Sequence, residues 1–187
     1  MTSRLEAAFA AAERSDFLPW DQRRHAAWDA PLPIGHGATN SQPSTVRYML
    51  DLLDAQPGQR ALDVGSGSGW TSALLGELVG SEGSVIGVDV VPELVAMARE
   101  NLGSRRPWVR IELAGAHVLG WPDEGPYDRI LVSADGGRVP ADLESQLAPG
   151  GRMILPAASE MMVVERAPDG ALTRRRADGL FSFVPLR

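Results

Sequence analysis

The chain has 187 residues, the size of one domain, and 44% hydrophobic residues suffice for one substantial core. A net charge of −6 and a pI near 5.1 weigh against a general nucleic-acid or bilayer-binding surface. The absence of cysteine excludes a disulfide framework, a thiolate zinc site and a cysteine nucleophile, and with all 18 basic residues arginine, lysine Schiff-base chemistry is excluded too.

Residues 2–14 carry helical spacing (Leu5, Phe9, Ala12), closed by Phe17-Leu18-Pro19. Arg4, Glu6 and Glu13 interrupt the apolar start, so it does not read as a targeting segment, and no stretch approaches membrane-spanning length; a cytoplasmic protein is expected. Residues 29–43, rich in Pro, Gly and small polar residues, read as an ordered surface loop, and a loop this long in a domain is usually functional or disordered. Pro43 opens a helix whose apolar face is Val46, Met49, Leu50 and Leu53, ended by Pro57-Gly58.

From there the period switches repeatedly. Apolar runs at 61–64, 85–88, 109–113, 130–132 and 153–155 alternate with helical patterns at 71–78, 92–102 and 141–147. Short strands apolar on both faces, interleaved with amphipathic helices, predict βαβ units and a mostly parallel, doubly wound α/β sheet. Beyond Met161 the pattern is strands only: 161–166, a Pro168-Asp169-Gly170 turn, 171–176 and 180–186, read as a hairpin added antiparallel to the sheet edge. Arg174, Arg175 and Arg176 within it read as a solvated run. One domain over 1–187 is expected, with an N-terminal helix and loop portion (1–56) and a Rossmann-like core (57–187).

The stretch Asp63-Val64-Gly65-Ser66-Gly67-Ser68-Gly69-Trp70 follows a strand and opens a helix. Its glycines permit a sharp turn and close backbone approach to a ligand across the strand ends. A dinucleotide turn needs a third glycine where Trp70 stands, and Asp63 would repel a pyrophosphate. A carboxylate there suits S-adenosylmethionine, which carries an ammonium and a sulfonium. Twenty residues past Gly69, Asp89 ends the next strand, where a carboxylate accepts ribose hydroxyl protons, with Val90 beside it. The cofactor set read from the sequence is therefore Asp63, Gly65, Ser66, Gly67, Gly69, Asp89 and Val90.

The stretch Pro31-Leu32-Pro33-Ile34-Gly35-His36-Gly37-Ala38-Thr39-Asn40-Ser41-Gln42-Pro43 resembles the LPIGxGxTISQP loop of the protein-L-isoaspartate O-methyltransferases. The family pattern continues through Trp28-Asp29, Gly120-Trp121-Pro122, Pro126-Tyr127-Asp128, Gln146-Leu147 and the closing Phe183-Val184-Pro185-Leu186. The resemblance implies a Rossmann-like methyltransferase that uses S-adenosyl-L-methionine to methylate the α-carboxylate of L-isoaspartyl residues in a protein or peptide partner. It further implies Ser41 as the active-site serine, Ala38, Thr39, Asn40 and Ser41 lining the cofactor and substrate, and Gly115 and Ala116 framing adenine. A carboxylate acceptor is already ionised at neutral pH, so placement, and not a strong base, is the catalytic task. No nucleic-acid or membrane partner is expected, and the chain is expected to act as a monomer.

Three departures stand out. Asn40 replaces the family's isoleucine, Ala116-His117 replaces an Asp-Gly pair, and Asp135 follows the fourth strand, where a second carboxylate near the acceptor would repel it. Asp135 with Asp128 or Asp142 makes no convincing metal set. His25 and His36 read as a solvated linker residue and a turn residue. Two other readings stay open at this point: a methyltransferase of the same scaffold acting on another acceptor, and a non-catalytic regulator.

Overall fold

The computed structural model describes residues 3–115 and 117–186. Ser3 caps the first helix, α1 (Arg4–Ala11), in a reciprocal box with Glu6, and a short 3-10 helix at Arg14–Phe17 follows. A second 3-10 helix spans Trp20–His25. The expected surface loop at 29–43 contains a hairpin instead, β1 (Leu32–Gly35) and β2 (Ala38–Asn40), turning at His36-Gly37. Its alternation was hidden by prolines and glycines, yet Leu32 and Ile34 point inward onto Leu18 and Leu94.

Helix α2 (Pro43–Leu53) starts on proline and buries Val46, Met49, Leu50 and Leu53. Burying such side chains stabilises by about 1.5 to 3 kcal/mol each relative to exposure. Five parallel strands follow with their connections: β3 (Arg60–Val64), α3 (Trp70–Val79), β4 (Ser84–Asp89), α4 (Pro92–Leu102), β5 (Val109–Leu113), β6 (Tyr127–Val132), α5 (Ala141–Ser145) and β7 (Leu147–Ala157). Helix α5 ends two residues short of the expected 147 because Leu147 already pairs with Tyr127 of β6, so β7 is much longer than its apolar run. Strands β8 (Glu160–Arg166) and β9 (Leu172–Leu180) add antiparallel. The final apolar run is not a strand: 181–186 is irregular backbone, bridged at Pro185 to Asp135.

The sheet order is β5-β4-β3-β6-β7-β8-β9, so the chain reverses its direction of travel between β3 and β6. Successive residues face opposite ways. Ala61 joins the core under α1 to α4, whereas Leu62 and Val64 join the core with Leu143 and Tyr127 on the other face. A crevice beyond the carboxyl ends of β3, β4 and β6 follows from this topology, at the reversal point where such sheets bind ligands.

Candidate active site

That crevice is a cleft with about 980 Å³ of empty space, its open mouth included. The turn after β3 makes one wall. Gly65 and Ser66 both donate backbone N–H bonds to Val88 O (2.9 and 3.0 Å), and Gly67 N donates to Asp89 Oδ2 (2.9 Å). Asp89 Oδ1 accepts from Val91 N (3.0 Å), which fixes the carboxylate at the cleft while leaving lone pairs on both oxygens. Gly69, at φ +89°, starts α3; a Cβ there would stand 3.1 Å from that of Ala98 and 3.3 Å from its backbone. Glycine therefore lets α4 close against the turn.

Of the residues read from the sequence, Ala38, Thr39, Asn40, Ser41, Gly65, Ser66, Gly67, Asp89 and Val90 all line this one cleft. Asp63, Gly69 and Gly115 stand off its wall. Asp63 is wholly buried behind the turn, where Oδ2 accepts from the hydroxyls of Thr71 and Ser72 (2.6 Å each) and Oδ1 has no partner among the described residues. Burial pushes its carboxyl up to about 6, against those two hydrogen bonds, and the charge of Asp89 adds to the rise. Asp63, expected to attract the cofactor's positive charge, thus stands behind the turn and not in the cleft wall. Gly115 lies just outside, with Ala114 and Val118 in the wall, and Ala116 falls outside the described residues.

The histidines separate. His36, at φ +54°, borders the cleft at the tip of the hairpin. His117 is exposed and off the wall, and His25 stacks on Trp28 with ring centroids 3.9 Å apart. Among the described lining residues Asp89 is the sole carboxylate and no arginine is present. The cleft therefore favours a ligand with positive charge over one with phosphates. The side chain of Ser66, buried and without a partner among the described residues, is a further polar group that a ligand would satisfy.

A second cavity, about 1240 Å³ with its mouth, adjoins the first. Thr39, Ser41, Ser133 and Val184 line both. Phe181 and Phe183 form its apolar side, and Gln42, Ser44 and Thr45 bring polar groups from the start of α2. Asp135 is not in either wall. Its partial burial alone would raise its pKa, but N–H bonds from Gly137 (2.7 Å), Ala158 (3.0 Å) and Ser159 (3.2 Å) hold it below the usual carboxylate value. The expected repulsion of an acceptor by Asp135 is accordingly replaced by a structural role. Its backbone exchanges bonds with Val184 O and Leu186 N (2.8 Å each), pinning the closing segment over both cavities.

Sequence reasoning gave that segment no site role, although Val184, Pro185 and Leu186 all line the first cleft. It also passed over Arg14, the last residue of the expected 2–14 helical pattern. Arg14 is 7% exposed and donates to the backbone of Ser41 (3.0 Å). No periodicity marks such a residue, because its acceptors are carbonyls scattered over later segments.

The family model described as Protein-L-isoaspartate(D-aspartate) O-methyltransferase matches residues 1–187. A Methanopyrus kandleri protein named Protein-L-isoaspartate O-methyltransferase is 44% identical, over 99% of this chain and 84% of that protein. An Aeropyrum pernix protein of the same name is 45% identical, over 98% of this chain and 72% of its own length. Among solved structures, a Plasmodium falciparum protein described as a protein-L-isoaspartate O-methyltransferase in complex with S-adenosyl-L-homocysteine superimposes with a TM-score of 0.84. It covers 99% of this chain and 90% of that one at 24% identity, a likeness of fold.

Proposed function

Since the chain belongs to the protein-L-isoaspartate(D-aspartate) O-methyltransferase family, we propose that its first cleft holds S-adenosyl-L-methionine and its second cavity the isoaspartyl carboxylate of a protein or peptide. The observation that carries this is the position of Ser41, in the wall of both cavities at once. When bound, the cofactor supplies a methyl group on a cationic sulfur, and its transfer to a carboxylate oxygen gives a neutral ester without moving a proton.

The chain's own residues then have placement to do. Asp89 accepts from the ribose hydroxyls, with Val90 beside it, and the backbone of Gly65, Ser66 and Gly67 forms the floor. Asp63 adds negative charge behind that floor. Ala38, Thr39 and Asn40 form the facing wall, and the Ser41 hydroxyl donates to the acceptor carboxylate and orients one oxygen toward the methyl carbon. Such alignment at roughly 3 to 3.5 Å is the source of rate in a reaction that needs no base.

We also take the protein to act as a monomer on polypeptides, away from nucleic acid, in keeping with its net charge of −6. No described helix is long and apolar enough to cross a membrane. A methyl-transfer assay comparing an isoaspartyl peptide with its aspartyl twin tests the assignment: only the first should be esterified. Equal or absent transfer would redirect the search to another acceptor.

A further inference from the structure

Arg14 opens the 3-10 helix after α1 and sends its side chain into the interior, where its five N–H groups meet six acceptors. Nη1 donates to Ala26 O (3.3 Å) and Trp28 O (2.8 Å). Nη2 reaches Ala30 O (2.8 Å), Asn40 O and Ser41 O (3.0 Å each). Nε donates to Asn40 Oδ1 at 2.7 Å. Because a guanidinium only donates, it fixes the Asn40 amide with its oxygen toward Arg14 and its NH₂ outward. That NH₂ donates to Ser68 Oγ (3.2 Å), inside the glycine turn. Asn40 and Ser68 are 4% and 2% exposed, so water does not compete for these bonds.

The chain of bonds does not stop at Arg14. The 26–30 segment it holds carries Asp29, whose carboxylate accepts from Gln42 Nε2 (3.1 Å) and Ser44 N (2.9 Å), two residues in the wall of the second cavity. One polar path therefore runs from the turn at the first cleft, through Ser68, Asn40 and Arg14, to the wall of the second. The isoleucine of the family's Thr-Ile-Ser pattern cannot make the middle link, since its side chain neither donates nor accepts.

We propose that Asn40 is a positioning residue that ties the acceptor cavity to the cofactor turn, so that filling the first cleft stiffens the wall of the second. This rests on the reading that the first cleft takes the cofactor and the second the acceptor. Rigidity passed along a bonded path whose Ser68–Asn40–Arg14 stretch is buried is measurable as protection of amides that the ligand never touches. Residues 26–30 are such a reporter, because none of them lines the first cleft.

Hydrogen exchange on the full chain, with and without S-adenosyl-L-homocysteine, decides the matter. In the wild type the ligand should slow exchange at 26–30. In Asn40→Ile and in Ser68→Ala that remote protection should vanish while protection of 65–67 persists. Ser68→Ala leaves every bond of Arg14 in place and so serves where Asn40→Ile fails to fold. With an isoaspartyl peptide, Ser68→Ala should lower kcat by about three- to tenfold, the worth of the one buried hydrogen bond it loses, Asn40→Ile, which loses two, by at least as much, and the double variant no further than Asn40→Ile alone. Undiminished protection at 26–30 in the variants, none there in the wild type, or additive losses in kcat would overturn the proposal. A wild type that ignores the peptide yet shows the remote protection would sink the acceptor assignment and leave the coupling standing.

Discussion

Ser41 is held by its backbone and free at its hydroxyl. Arg14 fixes its carbonyl, while no hydrogen bond from its Oγ to protein is present among the described residues. Ser41→Ala should therefore leave affinity for S-adenosyl-L-homocysteine nearly intact and raise the barrier to methylation of an isoaspartyl peptide by about 1 to 3 kcal/mol, the worth of one oriented donor. Full activity in single-turnover assays would remove the serine from the reaction. Asp63 gives a prediction of the opposite kind, in stability. Its folded pKa of about 6 stands above the unbonded value of 3.8, so the native state binds this proton more tightly than the unfolded chain. Well below pH 3.8 both states are protonated and the carboxyl costs nothing. Between pH 4 and 6 the unfolded state ionises first, and the penalty on folding grows to about 3 kcal/mol, where it stays at higher pH. Asp63→Asn lacks this term, so in urea titrations the variant should gain on the wild type as the pH rises from 4 to 7. Parallel stability curves over that range would mean that Asp63 is ionised at ordinary cost. A buried charge maintained at such expense fits a turn that receives a cationic ligand.

Between β6 and the end of the chain, one aspartate performs the work of an element. Asp135 collects three N–H groups from the 137 and 158–159 turns and clamps 184–186 through its own backbone. Asp135→Ala would strand those donors and loosen the segment that covers both cavities. The expected result is a loss of about 1 to 3 kcal/mol in stability, with both KM for an isoaspartyl peptide and the dissociation constant for S-adenosyl-L-homocysteine raised, because Val184, Pro185 and Leu186 line the first cleft and Val184 the second as well. Unchanged KM would show that the clamp and the acceptor wall are independent. This element also marks where sequence reading ends. Strands β3, β4 and β6 were legible because they are buried on both faces and announce themselves as apolar runs. The turn and Asp89 were legible because their spacing is fixed by the strands that carry them. The β1-β2 hairpin, the full length of β7 and the closing segment were not, since their backbone partners come from distant segments that no local period encodes. The same holds for Arg14, whose six acceptors lie 12 to 27 residues away.

At the scale of the whole molecule, the N-terminal portion is woven into the sheet and not appended to it. Ala8 and Ala12 of the first helical region, Phe17, and the apolar face of α2 share one core with Trp70 of α3 and with β3 to β8. Trp70 Nε1 donates to Ala12 O (3.0 Å), and Arg106 Nη2 reaches back to Ala11 O (2.7 Å). Arg152 on β7 likewise donates to Leu52 O at the end of α2 (2.9 Å). Residues 1–56 and 57–187 should thus unfold together, as one domain. The check is a pair of probes: tryptophan fluorescence, weighted by Trp20 and Trp28 in the first portion and Trp70, Trp108 and Trp121 in the second, and far-ultraviolet circular dichroism for the sheet. Coincident urea transitions, both moved to higher urea by S-adenosyl-L-homocysteine, are expected. A ligand filling the cleft between the 38–41 wall of one portion and the 65–67 floor of the other would stabilise both at once. Two separated transitions, with only the later one responding to ligand, would mean that the acceptor loop is an independent unit, and the positions of Ser41 and Asn40 would then depend on a docking equilibrium instead of on a common core.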